Sequence, residues 1–157
     1  MMAADFRKLR TRRRLLQAGA ALTIVPWRMA HSAANELPNI PALSAWLAGR
    51  APRMERVHLV LPQLADNGLV VPMQVRVDGP FVPGPHVTAI HLFSEANPVP
   101  EMAVFEFPVP VERVEVESRV RLAATQRVVA LAMMSDGALY AAAAEVIVTL
   151  AGCLDGT

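Results

Sequence analysis

From Val57 onward the chain alternates between apolar and polar residues with a period of two, the signature of half-buried β-strands. Val57–Leu61 is a short candidate strand that stops at Pro62. In Leu69–Asp78, Val71, Met73, Val75 and Val77 alternate with Pro72, Gln74, Arg76 and Asp78. His86–Phe93 and Glu101–Phe107 are the next two, separated by the turn Asn97-Pro98-Val99-Pro100. Arg113–Leu122 puts Val114, Val116, Val120 and Leu122 on one face and Glu115, Glu117, Arg119 and Arg121 on the other. Arg127–Met134 is almost wholly apolar, which predicts a central strand covered on both faces. Ala138–Leu150 closes the series, with Tyr140, Ala142, Ala144, Val146, Val148 and Leu150 on one side. Helix is the rival for the Ala141–Ala144 run, since Ala favours helix; the following Val146-Ile147-Val148-Thr149 favours strand.

The punctuation agrees with this reading. Asp66-Asn67-Gly68 and Ser135-Asp136-Gly137 are strong turn signals. About seven strands at close spacing predict an all-β fold, an antiparallel sandwich of immunoglobulin type. The cysteine pair typical of antibody domains is missing, so the expectation concerns architecture only. Ahead of the strands, within a segment 35–52, Asn39–Gly49 has a helical pattern. Pro41 lies in its first turn, Gly49 is its stop, and Leu43, Trp46 and Leu47 share a face that should pack on the sandwich.

The first 34 residues differ in kind. Thr11-Arg12-Arg13-Arg14-Leu15-Leu16-Gln17 is a basic cluster, Leu15–Val25 is apolar, and Ser32-Ala33-Ala34 supplies small residues for cleavage. This order is that of a secretory signal peptide, and its arginine pair resembles a twin-arginine signal, the route for proteins exported folded. Residues 1–34 are therefore expected to be removed and the rest to act in the periplasm; the competing reading is a basic amphipathic helix that is retained. Folded export would also let a partner lacking a signal cross bound to this chain. No apolar run reaches the ~18 residues of a membrane span.

Removing that segment changes the charge. The full chain is +1, but residues 35–157 hold 8 Arg, no Lys and 13 Asp or Glu, a net of about −5. An acidic domain is a poor ligand for nucleic acid or an anionic membrane and suits a partner with a basic face.

Enzyme signatures are scarce. Phosphate loops, C-x-x-C and H-E-x-x-H are absent, and no cofactor is implied. The charges on Arg113–Leu122 read as a solvated strand face. His91 shares a face with Val87, Ala89 and Phe93 and reads as a core or edge histidine; His58 and His86 lie on strands that could be neighbours.

The remaining candidate is the single cysteine, Cys153, in the tail 151–157, Ala-Gly-Cys-Leu-Asp-Gly-Thr. A lone thiol in an oxidising compartment has no internal disulfide partner. One reading is a small buried hydrophobe; its place beyond the last strand favours an exposed group. Asp155 and an acidic domain do not lower its pKa, so it is a thiol that other proteins must activate or attack.

The chain resembles the SoxY family, the cysteine-bearing subunit of a thiosulfate-oxidation carrier. The resemblance rests on Pro62 with Ala65-Asp66-Asn67-Gly68 and Val71-Pro72, and on His91-Leu92-Phe93 with Asn97-Pro98-Val99-Pro100. It rests also on Arg119-Val120-Arg121-Leu122-Ala123 with Thr125-Gln126, on Met134-Ser135-Asp136-Gly137, and on the tail cysteine. It implies an Ig-like sandwich (53–150) paired as a heterodimer with a SoxZ-like subunit. Sulfur intermediates would be held covalently on Cys153, with Gly152 as its flexible neighbour. A c-type cytochrome enzyme would load the thiol and a hydrolase would release sulfate, so the chain itself is a carrier and not an enzyme. The family tail reads Gly-Gly-Cys-Gly-Gly; Ala151 and Leu154 depart from it. That departure keeps open a second reading, a SoxY-like binding or assembly module without carrier activity. A free-standing enzyme is a distant third.

Overall fold

The computed structural model describes residues 36–79, 81 and 83–149. The expected signal segment 1–34, Gly152 and Cys153 lie outside the described residues. One helix, α1 (Pro41–Leu47), precedes eight strands: β1 (Val57–Val60), β2 (Leu64–Ala65), β3 (Val71–Val77), β4 (Val87–Ser94), β5 (Glu101–Glu106), β6 (Val114–Val120), β7 (Gln126–Met134) and β8 (Leu139–Val148). They form two sheets, β1-β3-β6 and β2-β8-β7-β4-β5. All seven expected strands are present, and the Ala141–Ala144 run is strand.

The eighth strand is the two-residue β2, which pairs parallel to β8 while the other pairings between strands are antiparallel. No periodic pattern announces two residues. They are held by backbone bonds in which Ile147 N–H donates to Gln63 C=O and Thr149 N–H to Ala65 C=O. The chain thus touches β8 at Arg53, crosses to pair with β3 as β1, and returns to β8 as β2.

The core lies between the sheets. Val71, Val75, Ile90, Leu92, Val128 and Val146 are among its fully buried members. A second cluster covers the outer face of the larger sheet, where Ile40 and Leu43 of the helical segment meet Phe93, Val129, Leu131 and Ala141. β7 therefore buries both faces, which explains its unbroken apolar run. Burial of this order, ~25 cal/mol per Å² of apolar surface, stabilises a seven-residue helix that would not persist alone. Trp46 and Leu47 are partly buried against the same cluster.

Two local expectations need correction. The helix ends at Leu47, and Ala48 (φ 48°) already takes the left-handed conformation ahead of Gly49 (φ 82°). Arg50 satisfies the exposed helix end: its Nε and Nη2 donate to the carbonyls of Leu47 (3.0 Å) and Trp46 (3.1 Å). Val87 does not share the face of Phe93. A β-bulge between Val87 and Ala89 flips the parity of the strand and sends Val87 into the inter-sheet core.

At the other end of the sandwich Arg56 is a non-glycine residue at φ 65°. Its guanidinium donates twice to the Asp78 carbonyl (3.0 and 2.8 Å) and lies 4.9 Å from the Tyr140 ring centroid. These contacts stabilise a backbone conformation that is costly for a side chain of this size.

Candidate functional site at the end of the last strand

Three of the sequence segments that carry the resemblance meet where β8 ends. Thr149 Oγ1 donates to the Asp66 carbonyl (2.9 Å), tying β8 to the Asp66-Asn67-Gly68 turn. That turn is closed by Leu69 N–H donating to Asn67 Oδ1 (2.8 Å), and the Gly68 carbonyl accepts from Leu122 N–H (2.8 Å). On the other flank Thr125 Oγ1 accepts from Val148 N–H (2.9 Å) and donates to the Val148 carbonyl (3.4 Å). The end of β8 is thus clasped by Thr125 from one side and the Asp66 turn from the other.

Asn97 joins the third segment to these two. Its Oδ1 accepts from Ala123 N–H (2.9 Å) and Gln126 Nε2 (2.9 Å), and its Nδ2 donates to the Arg121 carbonyl (2.8 Å). Gln126 is 4% exposed, and its Oε1 accepts from Ala96 N–H (2.8 Å). A buried amide with both ends satisfied is a specific lock between the β4–β5 and β6–β7 loops. From sequence Asn97 reads only as a turn residue. Beside this pole, where β1 leaves β3, a groove of about 880 Å³ opens between Leu61, Pro62, Pro72 and Met73, with Arg119 at its rim. The fourth segment, Met134–Gly137, forms the β7–β8 hairpin at the opposite pole; there Gly137 takes φ 84° and Met134 N–H donates to Ala138 C=O.

The charge pattern around the sandwich is structural. Gln74 Nε2 donates to Glu115 (2.7 Å) and Glu117 (3.1 Å), and Arg113 pairs with Glu115, so the charged face of β6 is a solvated ladder as expected. Glu95, just after β4, is held below the ordinary carboxylate range chiefly by its hydrogen bond from the Arg127 side chain, against partial desolvation. His91 is covered by Trp46 (ring centroids 4.7 Å apart) and donates from Nδ1 to Glu101 (2.8 Å). His58 and His86 do not meet: β1 and β4 belong to different sheets, and His58 Nε2 donates instead to Asp78 (2.6 Å). Among the described residues no three His, Cys, Asp or Glu side chains gather as metal ligands, and no helix is long and apolar enough to cross a membrane.

Asp78 gives a pH test of this ladder. The hydrogen bond from His58 holds its carboxyl below the ordinary range; desolvation opposes this, and the charges of His58, Arg76 and Arg56 add to it. A depressed carboxyl contributes stability above its unfolded pKa of about 4 and loses it as pH falls through the folded value. Asp78→Asn should therefore lower the urea midpoint at pH 7, with the gap to wild type closing in acid. A gap that stays constant from pH 7 to pH 3 would show that the effect is not ionic.

A β-sandwich whose last strand is clasped at its end by the segments described above has counterparts of known sequence and structure. The sequence matches the family described as sulfur oxidation protein SoxY over residues 43–153. The sulfur carrier protein SoxY from Chlorobium limicola f thiosulfatophilum superposes with a TM-score of 0.57 at 31% identity, covering 70% of this chain and 94% of that one. The chain belongs to the SoxY family. Two superoxide reductase (neelaredoxin) structures from Ignicoccus hospitalis share the fold alone. The first has a TM-score of 0.52 at 16% identity and covers 60% of this chain and 80% of its own. The second, a single-residue variant, has 0.53 at 14% identity and covers 71% and 99%. No curated protein sequence matches the chain.

Proposed function

We propose that this protein is a covalent sulfur carrier of the sulfur-oxidation system, holding its intermediates on Cys153. The observation that carries the reading is that the family match extends to residue 153, the position of the cysteine itself. The 31% identity with a sulfur carrier protein supports it. Thr149 is clasped at the pole of the sandwich, and Cys153 follows four residues later. At about 3.3–3.6 Å per extended residue the thiol has a reach of roughly 14 Å from that anchor, with Gly152 as the adjacent joint.

The chemistry assigned to partners balances without a catalytic group on this chain. Coupling the thiol to thiosulfate forms a Cys–S–S–SO₃⁻ linkage and releases one proton and two electrons, which a c-type cytochrome enzyme accepts. Hydrolysis of the terminal S–S bond by a hydrolase releases sulfate and two protons and leaves a persulfide on Cys153. A heterodimer with a SoxZ-like subunit accords with the acidic domain and its exposed apolar side chains. The twin-arginine-type segment supports export to the periplasm, which fractionation with N-terminal sequencing near Ala34 would check.

Incubation with thiosulfate and the cytochrome enzyme alone should add the mass of one S₂O₃ group to the peptide containing Cys153, and adding the hydrolase should reduce that increment to one sulfur. Ala151 and Leu154 favour a second reading, an assembly module that is never loaded, because they stiffen and thicken the tail relative to the family's glycines. An unloaded chain in a mixture where a standard carrier is loaded would decide for that module.

A further inference from the structure

The exposed large apolar side chains fall into two groups. Val60, Leu64, Leu69, Val70 and Ile147 lie on β1, β2, β8 and the turn before β3; Val99, Val104 and Val109 follow β5 and its flanking loops. β5 is the outermost strand of the larger sheet and pairs only with β4. Phe107 N–H donates to Thr88 C=O. By the alternation of an antiparallel ladder, residues 103 and 105 also turn their backbone groups to β4, while Val104 and Glu106 turn theirs outward; a β-bulge at Met102 ends this regular stretch. Open edges of this kind are ordinarily blunted with charged side chains, Pro, a β-bulge or a short length. Here the protection is confined to the ends: Glu101 and the bulge at Met102 stand at one end and Glu106 at the other, while Pro98, Pro100, Pro108 and Pro110 lie outside the strand, so Ala103–Phe105 between them is regular and carries neither charge nor Pro.

The charge around the edge has one sign. No Lys or Arg occurs between Arg76 and Arg113, whereas Asp78, Glu95, Glu101, Glu106 and Glu112 do. Glu95 is engaged by Arg127 and Glu101 by His91, but Glu106 and Glu112 have no partner among the described residues. Two copies of the chain paired through β5 would bring together Glu101 and Glu106 from each with no cation between them, an unfavourable cross-strand arrangement.

We propose that the open edge of β5 takes an extended strand from a different protein subunit, one carrying basic residues toward Glu106. Main-chain bonds to Val104 and Glu106 supply the attachment, and the exposed side chain of Val104 supplies the apolar contact. This deepens, and rests on, the heterodimer reading given above by assigning its surface.

The test uses the exported chain and the SoxZ-like subunit of the same source. Hydrogen exchange should show new protection at Val104 and Glu106 on mixing. Val104→Pro removes one outward N–H without touching a bond to β4, a substitution that edge strands tolerate. It should weaken binding by about 100-fold or more, the effect of losing a central interface contact. Glu106→Lys should weaken binding about 10-fold, more at low salt than at high. Circular dichroism and thermal midpoints report folding; if Val104→Pro misfolds, Glu106→Lys and the exchange map decide. Wild-type binding with protection elsewhere and no effect of the folded variants overturns the β5 assignment and leaves the heterodimer standing. No binding by wild type overturns the heterodimer reading and this assignment with it. Protection of β5 in the chain alone, with self-association, overturns the charge argument.

Discussion

Cys153→Ser is expected to abolish loading completely while leaving the fold and its stability unchanged. The substitution exchanges sulfur for oxygen at nearly constant size, so it tests chemistry and not shape. A disulfide-type linkage to thiosulfate needs a sulfur that can be oxidised, and the chain has no second thiol to take over. The inter-sheet core and the helix-facing cluster are built from residues between Leu37 and Val148, so the unfolding free energy should stay within ~0.5 kcal/mol of wild type. Intact-protein mass spectrometry after incubation with thiosulfate and partner enzymes, alongside a urea titration, reads both halves. A loaded Cys153→Ser protein would remove the thiol from the mechanism, and a collapsed one would show that the residue is structural.

The strands were legible because each must bury one face, and a period of two survives wherever that holds. β3 reads cleanly: Val71, Met73, Val75 and Val77 are all buried while Pro72 and Arg76 are exposed. β7 reads equally well for the opposite reason, being covered on both sides. β2 was illegible, because two residues carry no period and its bonds run parallel to a strand more than eighty positions away. The bulge that turns Val87 inward was illegible too, since only the register with β7 requires it. Cys153 stood out as the one thiol, but the clasp on Val148 and Thr149 did not. Thr125, Thr149 and Asp66 are common loop residues, and only the fold brings them together. Asn97 had a faint signal: an Asn-Pro turn paired with a glutamine at the start of an apolar strand, where a buried amide needs a polar partner.

That lock gives the second large effect. Asn97→Ala removes three hydrogen bonds at once and leaves Ala123 N–H, the Arg121 carbonyl and the amide of Gln126 without their partner. Gln126 is the costly member, because it is 4% exposed and water cannot readily replace what it loses. An unsatisfied buried polar group costs about 1–3 kcal/mol and a more accessible hydrogen bond about 1 kcal/mol, so the total should be about 3 kcal/mol. For a domain of this size that corresponds to a thermal midpoint lower by roughly 10–20 °C. The consequence should extend beyond stability. The β6–β7 loop that Asn97 holds also carries Thr125, which grips Val148 at the base of the tail. Loosening it should raise amide exchange at Val148, whose N–H bonds Thr125 Oγ1, and should slow the loading of Cys153. Gln126→Leu is the comparison: it removes the buried amide but keeps the two backbone bonds of Asn97 to Ala123 and Arg121, so it should recover part of the stability and most of the protection at Val148. If Asn97→Ala lowers the midpoint but leaves exchange at Val148 and the loading rate as in wild type, the lock stabilises the sandwich without positioning the tail.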